Sequence, residues 1–126
     1  MENINFKQTK DTPEVIFDKE NKTFKISGNS YPENCEKVYE PIKLFLEEYN
    51  VVKGEKLNFE FKFNLINSTS TVYLAQIIMK ISKLSEKGLN ISVSWYYDSV
   101  DEELLELGEK LCSMSNLDFT YTPIED

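Results

Sequence analysis

From Leu57 to Leu65 apolar and polar residues alternate without a break, Leu57, Phe59, Phe61, Phe63 and Leu65 against Asn58, Glu60, Lys62 and Asn64. Side chains of an extended chain point to opposite faces in turn, so this period of two marks a strand with one buried and one wet face. A strand covered on both faces would read as a continuous apolar run instead. Ile91, Val93, Trp95 and Tyr97 alternate in the same way with Ser92, Ser94 and Tyr96. Two such strands require a sheet whose helices pack mainly on one face. The alternation also sends Trp95 and Tyr97 to the core and Tyr96 to the other side.

Shorter signals complete the order of elements. Val15–Phe17 and Phe24–Ile26 read as strands joined by a hairpin loop, Asp18 to Lys22, in which Asn21 suits a positive φ. The second strand is expected to end at Gly28. Ser30 and Glu33 have capping-box spacing and Pro32 fits a first helical turn. The helix that follows runs to Tyr49 on Val38, Ile42, Phe45 and Leu46. Pro41 inside it costs about 3 kcal/mol in a regular helix, which predicts a kink or broken turn between Lys37 and Pro41. Leu74, Ile77, Ile78, Ile81 and Leu84 predict a second helix closed by Gly88. Ser99 and Glu102 repeat the capping-box spacing before Leu104, Leu107 and Leu111. Gly108 weakens that helix by about 1 kcal/mol relative to Ala, a cost that close packing would explain. Phe119 to Thr122 is a final strand stopped by Pro123. The order is β-β-α-β-α-β-α-β, a mixed α/β sheet in a single domain over residues 1–126, with residues 1–11 loosely ordered.

What is missing narrows the chemistry. Among 126 residues there is no histidine, which removes Ser-His and Cys-His nucleophile pairs and histidine metal sites together. Cys35 and Cys112 form neither a disulfide framework nor a metal spacing, and read as small buried or half-buried residues. The formal charge of −8 disfavours nucleic acid and anionic membranes as partners. No long apolar run or signal sequence is present, so a cytoplasmic protein is expected. Asp101, Glu102, Glu103 and Glu106 fit a solvated first helical turn better than a metal site. Lys53 to Lys56 holds one glycine and no phosphate-binding pattern. No cofactor and no catalysis are expected. The rival enzyme, a hydrolase built on Glu60 or Asp98, needs two acids converging in a cleft.

One stretch stands out against this plain background. Asn67-Ser68-Thr69-Ser70-Thr71 sets four hydroxyl residues between the long strand and the second helix. Such residues are ordinarily caps, because their oxygens accept the unpaired N–H groups of the first turn. The same helix end carries about half a positive charge and also accommodates a phosphate. A phosphoserine there would leave the helix intact and act on a docked partner through charge and desolvation. A constitutive adaptor, in which the turn is only a cap, remains the blander alternative.

Thr12-Pro13-Glu14-Val15, Ile26-Ser27-Gly28, Ser30-Tyr31-Pro32-Glu33-Asn34, Tyr39-Glu40-Pro41-Ile42 and Asn67-Ser68-Thr69-Ser70 together resemble the SiaC family of bacterial regulatory phosphoproteins. The resemblance runs from about Thr12 to Tyr121, and the Ser30–Asn34 block is its most specific part. It implies a fold similar to STAS-domain anti-sigma-factor antagonists, in which a Ser or Thr at a helix start is phosphorylated. It also implies three partners: a GHKL-like kinase, a PP2C-type phosphatase, and a diguanylate cyclase bound and stimulated by the unmodified form. The output would be cyclic di-GMP signalling and biofilm regulation. Carried over by position, the phosphoacceptor is Ser68, with Thr69 the runner-up, because the family has Thr then Ser where this chain has Ser then Thr. Asn67 to Thr71 would form the switch surface.

Overall fold

Leu57, Phe59, Phe61 and Phe63 are all buried, and their polar neighbours face outward, in a computed structural model that describes residues 4–125. They lie on β4 (Lys56–Ile66) at the centre of a six-stranded sheet. The other strands are β1 (Asn5–Phe6), β2 (Glu14–Asp18), β3 (Thr23–Ser30), β5 (Asn90–Asp98) and β6 (Phe119–Ile124). The sheet follows chain order, with β1, β2 and β3 antiparallel and β3 to β6 parallel. The parallel strands are linked by helices α1 (Cys35–Glu47), α2 (Ser68–Glu86) and α3 (Glu102–Ser113). Right-handed crossovers that step the same way each time put all three helices on one face. The mixed sheet with one covered face, inferred from alternation, is the observed architecture.

Register carries the core across the strands. Phe24 aligns with Phe59 and Phe59 with Val93, while Ile26 aligns with Phe61 and Phe61 with Trp95. Ile42 and Leu46 of α1 and Leu74, Ile77, Ile78 and Ile81 of α2 close over them, each at most 1% exposed. Gly108 has a packing reason. A Cβ there would stand 2.6 Å from the Trp95 ring, whose indole N–H donates to the Leu104 carbonyl at 3.0 Å. Among the described residues, no helix is long and apolar enough to cross a membrane.

Several local expectations are overturned, each for a physical reason. The described residues of the N-terminal stretch are held where β1 pairs with β2, Ile4 is buried and its carbonyl accepts the Phe17 N–H, while residues 5–10 are exposed. Residues 1–3 lie outside the described ones. In the first hairpin it is Lys22, not Asn21, that takes a positive φ, because Asn21 is tied to Asp18 by side chain and backbone. β3 does not stop at Gly28; it continues through an irregularity to Ser30, with Gly28 at φ +105° against the Gln8 side chain. Pro41 breaks nothing in α1, since burial of Tyr39, Ile42 and Leu46 outweighs one missing hydrogen bond. Asn34 and Asp101, rather than Ser30 and Ser99, cap α1 and α3. Leu65 is 61% exposed, because it lies past the end of the buried run on β4. β6 runs through Pro123 to Ile124, as an edge strand tolerates a residue without an N–H.

Candidate functional site

The strand-to-helix junction after β4 makes the site. Asn67 is the N-cap of α2, in extended conformation, and its side-chain oxygen accepts the Ser70 N–H at 2.8 Å. Its own N–H donates to the Ser30 carbonyl at 2.9 Å. The end of β3 therefore holds the start of α2. The four hydroxyls then diverge with helical phase. Ser70 points inward and is fully buried, Thr71 is half-buried, and Ser68 and Thr69 are exposed.

Ser70 belongs to a closed chain of hydrogen bonds. Its hydroxyl donates to the Ser30 carbonyl at 3.1 Å and accepts from the Ser30 hydroxyl at 2.9 Å. With the Ser30 proton so committed, Tyr39 must be the donor in its 2.6 Å contact with the Ser30 hydroxyl. The Cys35 thiol lies 3.6 Å from the Ser70 oxygen and, by the same accounting, donates to it. Burial pushes the Tyr39 phenol up to about 12, only partly opposed by its serine neighbours, so it keeps the proton this chain needs. Thr71 donates to the Ser68 carbonyl at 2.6 Å. The hydroxyls of Ser68 and Thr69 have no hydrogen-bond partner among the described residues.

The Ser30–Asn34 block serves this junction rather than a single cap. Ser30 bonds to α2, the Tyr31 N–H donates to the Asp11 carbonyl at 2.9 Å, Pro32 is buried, Glu33 is exposed, and Asn34 caps α1 by accepting the Glu36 N–H at 3.1 Å. Tyr39 and Cys35 joined the site only in three dimensions. The signal for Tyr39 was its place inside the Tyr39–Ile42 block; Cys35 gave none beyond following Asn34.

Glu60 and Asp98, the two acids named for the rival enzyme, are not brought together, although Asp98 shares a depression with Asp101, Glu102 and Glu103. Asp98 lines a shallow depression of about 700 Å³ with Asn64, Leu65, Val100 and the acidic start of α3. Its carboxylate is engaged by the Val100 N–H at 3.1 Å. Glu60 lies back along β4 on the open sheet face, roughly 13 Å from Asn64. No cluster of three potential metal ligands occurs among the described residues.

Comparison with known proteins agrees with the sequence resemblance. The sequence model for the SiaC family regulatory phosphoproteins matches residues 6–124. An uncharacterised protein of Pseudomonas aeruginosa strain UCBPP-PA14 is 23% identical over 110 residues, 87% of each chain. The crystal structure of apo-SiaC from Pseudomonas aeruginosa is 20% identical with a TM-score of 0.85, over 97% of this chain and 99% of that one. SiaC in a crystal structure with the diguanylate cyclase SiaD, where it is described as the activator, gives 21% and 0.86 over 96% and 99%. At these identities the solved structures show the fold.

Proposed function

Because the chain belongs to the SiaC family of regulatory phosphoproteins, we propose that it is a non-catalytic partner switch with Ser68 as its phosphoacceptor. A GHKL-like kinase transfers a phosphoryl group from ATP to the Ser68 oxygen, which loses its proton. A PP2C-type phosphatase returns the hydroxyl by hydrolysis. The unmodified form docks its effector on the surface around Asn67–Thr71, and the phosphorylated form releases it. A diguanylate cyclase is the effector class favoured, by analogy with the SiaD-bound neighbour of the same fold.

The observation that carries this reading is the division of the hydroxyls. Ser68 and Thr69 are exposed and unengaged, whereas Ser70 is buried and bonded on every side. The first turn of α2 contains no acidic residue, so its positive end is free to stabilise an added phosphate. Phosphopeptide mapping after incubation with the cognate kinase and ATP tests it. Modification at Ser68, lost in Ser68→Ala and retained in Thr69→Ala, is expected. Modification confined to positions outside Ser68 and Thr69 overturns it.

A further inference from the structure

Residues 7–12 cross the end of β3 as a strap, exposed over 7–10 yet fixed along its length. Gln8 lies over Gly28, where a Cβ would stand 2.9 Å from the Gln8 side-chain oxygen. The Lys10 carbonyl accepts the Asn29 side-chain N–H at 3.2 Å, and the Asp11 carbonyl accepts the Tyr31 N–H at 2.9 Å. Thr9 ties the turn within the strap. Its hydroxyl oxygen accepts the Thr12 N–H at 3.0 Å, and its proton goes to the Asp11 carboxylate at 3.1 Å.

Asn29 faces both ways. Its side-chain oxygen accepts the Leu65 N–H at 3.2 Å, at the end of β4 and close before Ser68. The two bonds orient each other, because the nitrogen must face the strap and the oxygen must face β4. An amide that turns away from the strap also withdraws its oxygen from Leu65. The next residue, Ser30, takes the Asn67 N–H on its carbonyl and binds the Ser70 hydroxyl. Adjacent residues of β3, where its register is irregular, thus hold the strap on one side and the start of α2 on the other.

We propose that the strap is a latch on the switch junction. Docked, it keeps Asn29 against Leu65 and steadies the chain that carries Ser68; released, it lets that chain loosen for the kinase. The inference rests on the switch reading given above and adds a control on its phosphorylation step. A serine side chain projects one methylene and one oxygen from the backbone. The reach of its hydroxyl into a kinase cleft is therefore set by the freedom of the chain beneath it. The strap is the part of the junction suited to open first. Residues 7–10 are polar and exposed, and a segment held by a few surface hydrogen bonds opens at far lower cost than the whole fold. The bonds between Ser30 and Ser70 are buried and stay closed, which confines the loosening to the chain before Ser70.

Amide exchange followed by NMR, and the initial rate of Ser68 phosphorylation by the proposed GHKL-like kinase, are measured for the parent and three variants. Thr9→Ala unties the strap without touching Asn29. Asn29→Ala removes both of its side-chain bonds. Asn29→Asp keeps an oxygen for the Leu65 N–H but sets another against the Lys10 carbonyl, so it releases the strap while holding β4. The latch predicts exchange at Leu65 and Asn67 at least about fivefold faster in Thr9→Ala and Asn29→Ala, with phosphorylation faster by a similar factor. In Asn29→Asp both quantities stay near parental, and the Tyr31 amide alone exchanges faster. Unchanged exchange at Leu65 in Thr9→Ala overturns the latch. Faster exchange there with an unchanged or slower phosphorylation rate overturns its control of the kinase step. Asn29→Asp behaving like Asn29→Ala overturns the relay through Asn29. If the kinase leaves Ser68 unmodified in every form, the switch reading falls, and the exchange rates still decide the latch.

Discussion

Ser30 and Ser70 bond to each other twice: the Ser30 hydroxyl donates to the Ser70 hydroxyl, which donates back to the Ser30 carbonyl. The same carbonyl accepts the Asn67 N–H, so both of its lone pairs are used. The end of β3 and the start of α2 are thereby locked, with the neighbouring Ser68 hydroxyl left free on the outside.

Ser70→Ala should therefore cost stability where Ser68→Ala does not. Removing the Ser70 hydroxyl leaves the buried Ser30 hydroxyl without its acceptor, a loss of about 1–3 kcal/mol. Ser68→Ala should stay within about 0.5 kcal/mol of the parent. Urea denaturation midpoints measure both, and equal midpoints would contradict the division of roles.

Tyr39 makes the fold sensitive to alkali. Its folded pKa is raised to about 12 from 10.0, so the stabilising protonated form persists in the folded state after the unfolded chain has lost its proton. Its contribution is complete below pH 10 and is lost as pH rises toward 12, in total roughly 2–3 kcal/mol. Tyr39→Phe should cost about 1 kcal/mol at neutral pH and flatten this part of the alkaline decline. Stability measured against pH for both proteins checks the difference. Tyr49 and Tyr121, also raised, contribute equally to the two curves.

Asn67 should be replaceable by Asp but not by Ala. The cap needs an oxygen facing the Ser70 N–H, which Asp supplies and Ala lacks. Asn67→Ala is expected to cost about 1 kcal/mol and Asn67→Asp to cost little. Thermal denaturation distinguishes them.

Gly108→Ala should destabilise, although alanine is the better helix former by about 1 kcal/mol. The added methyl would meet Trp95 at 2.6 Å in a fully buried position. A net loss of about 1–3 kcal/mol is expected, with a changed tryptophan emission spectrum. A gain in stability would contradict the packing.

The period of two on β4 was enough to read the sheet and its single covered face, because alternation reports directly on which side water reaches. It could not say that Leu65 lies beyond that cover, since strand phase carries no information about where the helix layer ends. Capping residues are ambiguous for a related reason. Ser30 and Ser99 fit the capping pattern as well as Asn34 and Asp101 do, and the choice is made by a partner distant in sequence in one case and by a local turn in the other. Ser30 went to Ser70, and Asp98 to Asp101 closed a turn that passes over Ser99. Pro41 predicts a kink or broken turn and Pro123 a strand end, because the local penalty is visible in the sequence and the burial or edge position offsetting it is not. At the site, helical phase alone separates Ser70, in line with Leu74 and Ile77, from Ser68, in line with Val72. The bonds from Ser30 and Tyr39 needed three dimensions.

Calorimetric titration of the proposed effector, a diguanylate cyclase, with unmodified protein and with protein carrying phosphoserine at position 68 tests the switch most directly. Binding to the unmodified form, weakened at least about tenfold by the phosphate with the fold unchanged by circular dichroism, is the predicted result. Equal affinity of the two forms would contradict it.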